Sequence, residues 1–116
     1  MEKDTEELEQ AVDNKVPLKI KAPLARKALR RSHIRKKVAE YLFDIGPSYS
    51  YISEIAYHAK ATSTNVIGAM RGSKSRYRED ESLISLEIVE MKMGGKNVKL
   101  YGITPFGREI VESLKD

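Results

Sequence analysis

The sequence predicts a mainly α-helical domain with one small β-hairpin, an α+β fold, and three observations support this. Residues 51–72 contain two short amphipathic segments separated by a turn of small residues. Residues 88–103 contain two alternating runs of β-type residues around a pair of glycines. A Thr-Pro pair at positions 104 and 105 then begins another apolar segment with helical spacing. At 116 residues, the chain is long enough for one compact domain and short for two.

Charged residues are distributed unevenly along the chain. Residues 1–14 hold six acids against one lysine, residues 15–37 hold ten cations and no acid, and the remainder is nearly neutral. A concentrated basic segment is typical of contact with a polyanion, because each neutralised phosphate releases condensed counterions. A solvated linker, or an arm that folds back on the acidic leader, is the alternative.

The N-terminal part of the chain has too few apolar residues to offset the cost of ordering it. Pro17 and Pro23 are expected to interrupt any helix, and residues 16–20 alternate as a short extended segment would. We therefore expect residues 1–24 to form a flexible arm, first acidic and then basic. Residues 25–116 are expected to form the folded domain.

The first helix is expected to begin at Ala25 or Ser32 and to end at Ile45. Its apolar residues recur at helical spacing in a single stripe: Ile34, Val38, Tyr41, Leu42 and Ile45. A Gly-Pro pair at positions 46 and 47 stops the helix. Either Ser50 or Ser53 could cap the helix that follows.

Residues 51–72 match the pattern of a helix-turn-helix. Four apolar residues of the first segment share one helical face: Ile52, Ile55, Ala56 and Ala59. Thr62 is a good N-cap for the second helix, since its hydroxyl can accept from an open backbone N–H. That helix would turn three residues inward: Val66, Ile67 and Met70. It would turn four residues outward: Ser63, Thr64, Asn65 and Arg71. Small polar groups at the start of such a helix could read bases in a DNA major groove; an ordinary solvated helix face is the alternative.

A basic loop follows the second helix of this motif. Together with Arg71 it supplies four cations: Arg71, Lys74, Arg76 and Arg78. They would lie beside the groove if the helix is inserted, and they could contact backbone phosphates or simply be solvated. Residues 82–86 are expected to form one helical turn that carries three apolar side chains into the core: Leu83, Ile84 and Leu86.

Two strands are expected at residues 88–93 and 98–103, because glycines between alternating runs are a strong hairpin signal. The hairpin tip is cationic, through Lys92, Lys96 and Lys99. In a winged helix this hairpin is the wing, although lysines at a hairpin tip can also serve solubility alone. Thr104 as N-cap and Pro105 then open a last helix, which could close the core or pair with its copy in a dimer.

Several function classes are not supported. The chain has no cysteine, so it has no disulfide, thiolate nucleophile or zinc-thiolate site. His33 and His58 show neither metal-ligand spacing nor the pattern of a catalytic triad, and the glycine pair lacks the context of a phosphate-binding loop. No run is long enough to span a membrane, and the acidic N-terminus lacks the features of a signal peptide. We expect a cytoplasmic protein that is not an enzyme and that has no cofactor or metal.

The order of elements, together with four runs at residues 52–56, 61–66, 82–90 and 100–110, resembles winged helix-turn-helix transcriptional regulators of the MarR and ArsR type, especially small archaeal ones. Among these, the chain faintly resembles the euryarchaeal activators of archaellum genes. The resemblance covers about residues 32–115. It implies that four residues read bases and that two residues of the wing contact the backbone or the minor groove. The implied base-reading residues are Thr62, Ser63, Thr64 and Asn65, and those of the wing are Lys96 and Asn97.

The chain departs from that pattern at three places. Lys60 occupies the turn where glycine is usual, Glu87 replaces a glycine before the wing, and the interval from Met70 to Ile88 is longer than usual. The longer interval contains the basic loop, so it bears on how the C-terminal end of the helix would fit a groove.

We therefore expect a sequence-specific, double-stranded DNA-binding transcriptional regulator that acts as a homodimer. The basal transcription machinery is a candidate further partner, and no membrane partner is expected. An RNA-binding winged helix, or a protein-interaction winged helix in a transcription or chromosome assembly, is the alternative. Scattered tyrosines give little support to RNA stacking, and the basic segment disfavours a pure interaction module. The expected DNA-binding residues are Thr62, Ser63, Thr64, Asn65, Arg71, Lys74, Arg76, Arg78, Lys96, Asn97, Arg30, Arg31 and Arg35.

Overall fold

The computed structural model describes residues 18–73 and 78–115. In this part of the chain, helices dominate and a single two-stranded antiparallel sheet lies near the C-terminus. The elements are α1 (Leu18–Arg31), α2 (His33–Ile45), α3 (Ile52–Ala59), α4 (Ser63–Arg71), β1 (Val89–Met93), β2 (Lys99–Ile103) and α5 (Pro105–Leu114). Short 3-10 turns occupy Glu79–Glu81 and Gly95–Asn97. The predicted fold class, mainly α with a small β-hairpin, is confirmed, and the arrangement is consistent with a winged helix.

Helix α1 corrects the prediction for the N-terminal segment. It begins at Leu18 and contains Pro23, so residues 18–20 are helical and not extended. The predicted boundary between residues 24 and 25 falls inside this helix. The inner face of α1 is buried at Ala25, Ala28 and Leu29, and we attribute the helix to this tertiary packing, which outweighs the loss of one backbone hydrogen bond at proline. The acidic leader lies outside the described residues.

Helix α2 is the central helix and contacts α1, α3, α4 and α5. Ser32 is its N-cap, and the Ser32 hydroxyl accepts a hydrogen bond from the backbone N–H of Arg35 at 3.2 Å. The predicted stripe is buried at Val38 and Leu42. The helix ends at Ile45 with Gly46 as C-cap, as the Gly-Pro pair predicted.

Helices α3 and α4 form the predicted helix-turn-helix. Thr62 caps α4 as expected, and its hydroxyl accepts from the backbone N–H of Asn65 at 3.1 Å. The N-cap of α3, however, is Tyr51, and its side chain makes no capping bond. The Ser50 hydroxyl instead donates to the Glu54 carboxylate at 2.9 Å, so the prediction of a serine cap is wrong.

The hairpin packs beside this motif. β1 and β2 pair antiparallel with Met91 opposite Tyr101, and Ser50 forms a bridge on the other side of Tyr101. The turn over residues 82–86 buries Leu83 and Leu86, while Ile84 is only partly buried. Thr104 caps α5 by accepting from the backbone N–H of Gly107 at 2.8 Å, as predicted.

Candidate nucleic-acid interface

The outward face of α4 is polar at its start. Ser63 and Thr64 are exposed, and Asn65 is half-buried. All three lie in the first turn, where backbone N–H groups are open and a helix end can approach base edges. Thr62 precedes them, and its hydroxyl oxygen is already used as the helix cap. The start of α4 therefore presents short side chains that can donate and accept hydrogen bonds.

Ile67 does not lie where the sequence predicted it. Val66 and Met70 are fully buried, whereas 42% of Ile67 is exposed. In a helix, residues four apart are neighbours on the same face, so Ile67 lies between Ser63 and Arg71 on the outward surface. The polar face thus has an apolar side chain at its centre.

Arg71 joins the end of α4 to the sheet. Its guanidinium donates a hydrogen bond from Nη2 to the hydroxyl oxygen of Tyr101 at 3.0 Å. Only 1% of Tyr101 is exposed, because its ring lies in the core beneath the hairpin. The contact involves no carboxylate, so it does not compensate the charge of the guanidinium.

The hairpin tip carries the two predicted wing residues. Lys96 and Asn97 are both exposed, and both have a left-handed backbone, with φ of 53° and 63°. A groove of about 390 Å³ separates α4 from the wing. Its lining includes Tyr51, Ile67, Arg71, Asn97, Val98 and Lys99. The structure thus brings Arg71 and Asn97, predicted from separate motifs, to one groove.

Other predicted cations are engaged with an acidic turn at Glu79–Glu81. Arg78 bonds to Asp80 at 3.1 Å and lies 3.8 Å from Glu81. The hydrogen bond with Asp80 raises the pKa of Arg78, and the same bond lowers the pKa of Asp80. Because its charge is compensated locally, Arg78 is a weaker candidate for phosphate contact than the sequence suggested.

Arg35 is also engaged with this acidic turn. Only 5% of this residue is exposed, and its guanidinium donates to the carbonyl of Ala28 and to the carboxylate of Glu81, both at 3.4 Å. Arg31 binds the same carboxylate group at 3.2 Å. Burial and ion pairing count against the predicted DNA contact by Arg35, because the side chain would have to leave these partners to reach a phosphate.

The remaining predicted cations divide into two groups. Arg30 is exposed at the end of α1. Lys74 and Arg76 lie outside the described residues. The described part of the basic segment, residues 18–37, consists of α1, Ser32 and the start of α2, and the two helices are in contact.

Comparison with known proteins gives a family. A model of the EarA-like protein family matches residues 26–114, which include α2 to α5 in full. The chain belongs to the EarA-like family. The uncharacterised protein MJ0905 of Methanocaldococcus jannaschii is 39% identical over 95 residues, which cover 81% of this chain and 84% of that protein. No solved structure is significantly similar to the chain. The family that matches is EarA-like, not MarR or ArsR.

At two positions where the regulator pattern has glycine, this chain has another residue with the left-handed backbone that glycine favours. In this EarA-like chain Lys60 has φ 56° and Glu87 has φ 61°, both in the left-handed region. Lys60 is the exposed C-cap of α3. Glu87 binds the ammonium group of Lys21 at 2.7 Å, and the side chain of Lys21 is only 6% exposed. The substitution at position 87 therefore anchors α1 to the turn before the wing.

The two histidines of the EarA-like chain lie on different helices, His33 at the start of α2 and His58 in α3. His58 on α3 stacks on Tyr41 with ring centroids 4.5 Å apart, and Tyr57 packs against it edge-on. In residues 18–73 and 78–115, histidine and carboxylate side chains form no cluster that could hold a metal ion. Within the same residues, every helix is too short or too polar to cross a membrane.

Proposed function

We propose that this protein is a sequence-specific, double-stranded DNA-binding transcriptional regulator and that α4 enters the major groove. The observation that carries the proposal is the joint surface of α4 and the wing. Short polar side chains begin α4, and Lys96, Asn97 and Lys99 are exposed on the hairpin across a shared groove. A surface of this shape can contact base edges and backbone phosphates together.

Two segments without acidic residues, near α4 and in the hairpin, support the proposal more strongly than the basic N-terminal segment does. Residues 55–78 contain five cations and no acid, and residues 91–108 contain four cations and no acid. These two acid-free segments include the whole of α4, the hairpin tip and β2. Apart from Arg78, which is paired with Asp80, the cations of these segments would attract the phosphate backbone of a duplex.

Each element has a separate role in this mechanism. Asn65 is the leading candidate for base recognition, because an Asn amide can bond to both N6 and N7 of adenine. Ser63 and Thr64 would add shorter contacts. Lys96 and Lys99 would contact phosphates and set the position of the protein on the duplex without selecting sequence.

We further propose that two copies act together on an inverted repeat. A two-fold dimer would carry its two α4 helices to major grooves about 34 Å apart, one turn of the duplex. Ile20 and Leu24 are exposed one turn apart on α1, a pattern suited to packing against a second copy.

The first test is affinity selection of random duplex DNA with the purified protein, followed by re-binding of the enriched pool at two salt concentrations. We expect one enriched motif, present as an inverted repeat if the protein binds as a dimer. Binding without enrichment, lost as salt rises, would contradict sequence-specific recognition. Stronger binding to structured RNA would favour the RNA-binding alternative.

Two variants then separate base recognition from phosphate contact. Asn65→Ala should lose about 1–3 kcal/mol on the selected site and relax the preferred sequence. Lys96→Gln should weaken binding to all sequences alike and reduce the slope of log K against log salt by about one. Lys115→Gln removes the same charge at the end of α5 and serves as the control. An unchanged sequence preference in Asn65→Ala would remove that residue from base recognition.

A further inference from the structure

We infer that Ile67 is a specificity residue that contacts the 5-methyl group of a thymine, so that the binding site contains a T·A pair at a fixed position. This inference rests on the proposed function, because it assumes that α4 enters the major groove. Ile67 would recognise one base, in addition to the bases that the polar residues at the start of α4 contact.

The exposed part of Ile67 lies on the outward face of α4. Its neighbours Val66 and Met70 fill the core, while Ile67 is exposed on the opposite face. It follows the polar residues Ser63 and Thr64 by one turn and precedes Arg71 by one turn. Its exposed part lies in the groove between α4 and the wing, where a bound duplex could cover it.

The chemistry of the major groove restricts what Ile67 can contact. Base edges there carry hydrogen-bond donors and acceptors, and the thymine 5-methyl group is their distinctive apolar group. An isoleucine set against a donor or acceptor would desolvate it without replacing its hydrogen bond. Contact with a methyl group instead removes apolar surface from water on both sides.

The surroundings favour a duplex over a protein at this position. Arg71 and Lys99 line the same groove, and none of the residues that line it is acidic. Positive side chains at both edges of a small apolar centre suit a sugar-phosphate strand running past a base. A hydrophobic protein partner would have to desolvate these cations.

The test uses the duplex obtained by affinity selection, with each thymine replaced in turn by deoxyuridine, which lacks only the methyl group. We expect one position at which the wild-type protein binds about fourfold more weakly, the effect of losing one buried methyl group. Ile67→Ala should bind the thymine site more weakly than wild type and should no longer distinguish thymine from uracil at that position. Met91→Ala is the matched control, because Met91 is 41% exposed and does not line this groove. It should retain the discrimination.

Three results would overturn the inference. If a motif is selected but wild type and Ile67→Ala respond alike to every uracil, the thymine contact is wrong while DNA recognition stands. If Ile67→Ala changes the oligomeric state in light scattering and leaves discrimination intact, the side chain belongs to a protein interface. If no duplex motif is selected at all, the proposed function fails and the thymine contact fails with it.

Discussion

Matched glycine substitutions at Lys60 and Glu87 should change stability in opposite directions. Both residues have a left-handed backbone, which costs a non-glycine residue about 1–2 kcal/mol. Glycine removes this strain but gains about 0.5–1 kcal/mol of extra entropy in the unfolded chain. Because Lys60 is exposed, Lys60→Gly should therefore stabilise the protein by about 0.5–1 kcal/mol.

At Glu87 the same gain is outweighed by a lost partner. The Lys21 ammonium lies 2.7 Å from the Glu87 carboxylate, and its side chain is almost fully buried. A hydrogen bond to a charged group contributes about 1.5–3 kcal/mol, and the buried ammonium would lose it. Since half of the Glu87 side chain is exposed, we use the lower part of that range. Glu87→Gly should therefore destabilise the protein by about 1 kcal/mol.

Thermal unfolding followed by circular dichroism can measure both effects, because about 1 kcal/mol shifts Tm by roughly 4–8 °C in a domain of this size. Lys60→Gly should raise Tm and Glu87→Gly should lower it. Lys21→Met removes the buried charge, and in that background Glu87→Gly should become stabilising, as Lys60→Gly is. Stabilisation by Glu87→Gly in the wild-type background would refute the argument that the ion pair holds residue 87 in its conformation.

Three further changes test other parts of the fold. Gly107→Ala should lose about 1–3 kcal/mol in urea unfolding, because a Cβ at this position would overlap the carbonyl oxygen of Ile88; wild-type stability would show that α5 can shift. The phenol of Tyr49 donates to the carboxylate of Glu90, and this bond raises the pKa of Tyr49 above 10.0. The bond should therefore stabilise the protein at pH values below about 10, and this contribution should be lost as pH rises through the raised pKa of Tyr49. Tyr49→Phe should abolish this pH dependence of stability. If the absorbance titration of the tyrosines is unchanged in Tyr49→Phe apart from the loss of one phenol, the raised pKa is contradicted. Arg35→Ala should lose about 1–3 kcal/mol while leaving the salt slope of DNA binding unaltered, and a reduced slope would return this residue to the interface.

The elements that the sequence predicted correctly depend on local information. Thr62 and Thr104 mark helix starts because their hydroxyls satisfy backbone groups only three residues away. Paired glycines likewise specify the hairpin within a few residues. The family resemblance then indicated how these elements are ordered in a winged helix.

The errors concern contacts between residues distant in sequence. Pro23 predicted a break, but α1 is helical where its inner face packs on the core. The ten cations of the basic segment could not be sorted by composition, since Arg35 meets Glu81 across 46 residues. Apolar spacing in α4 could not fix the width of its buried stripe, so Ile67 was assigned to the wrong side.

Tyr101 has a consequence for how this surface would bind. Its backbone pairs with Ser50 on one side and with Met91 on the other, and its hydroxyl accepts from Arg71. One residue thus ties the hairpin to the end of α4 and to the segment before α3. A ligand that touches both helix and hairpin would meet groups already held at a fixed separation. Little ordering entropy would then be lost on association, and a target whose contact points are spaced differently would be rejected by geometry alone.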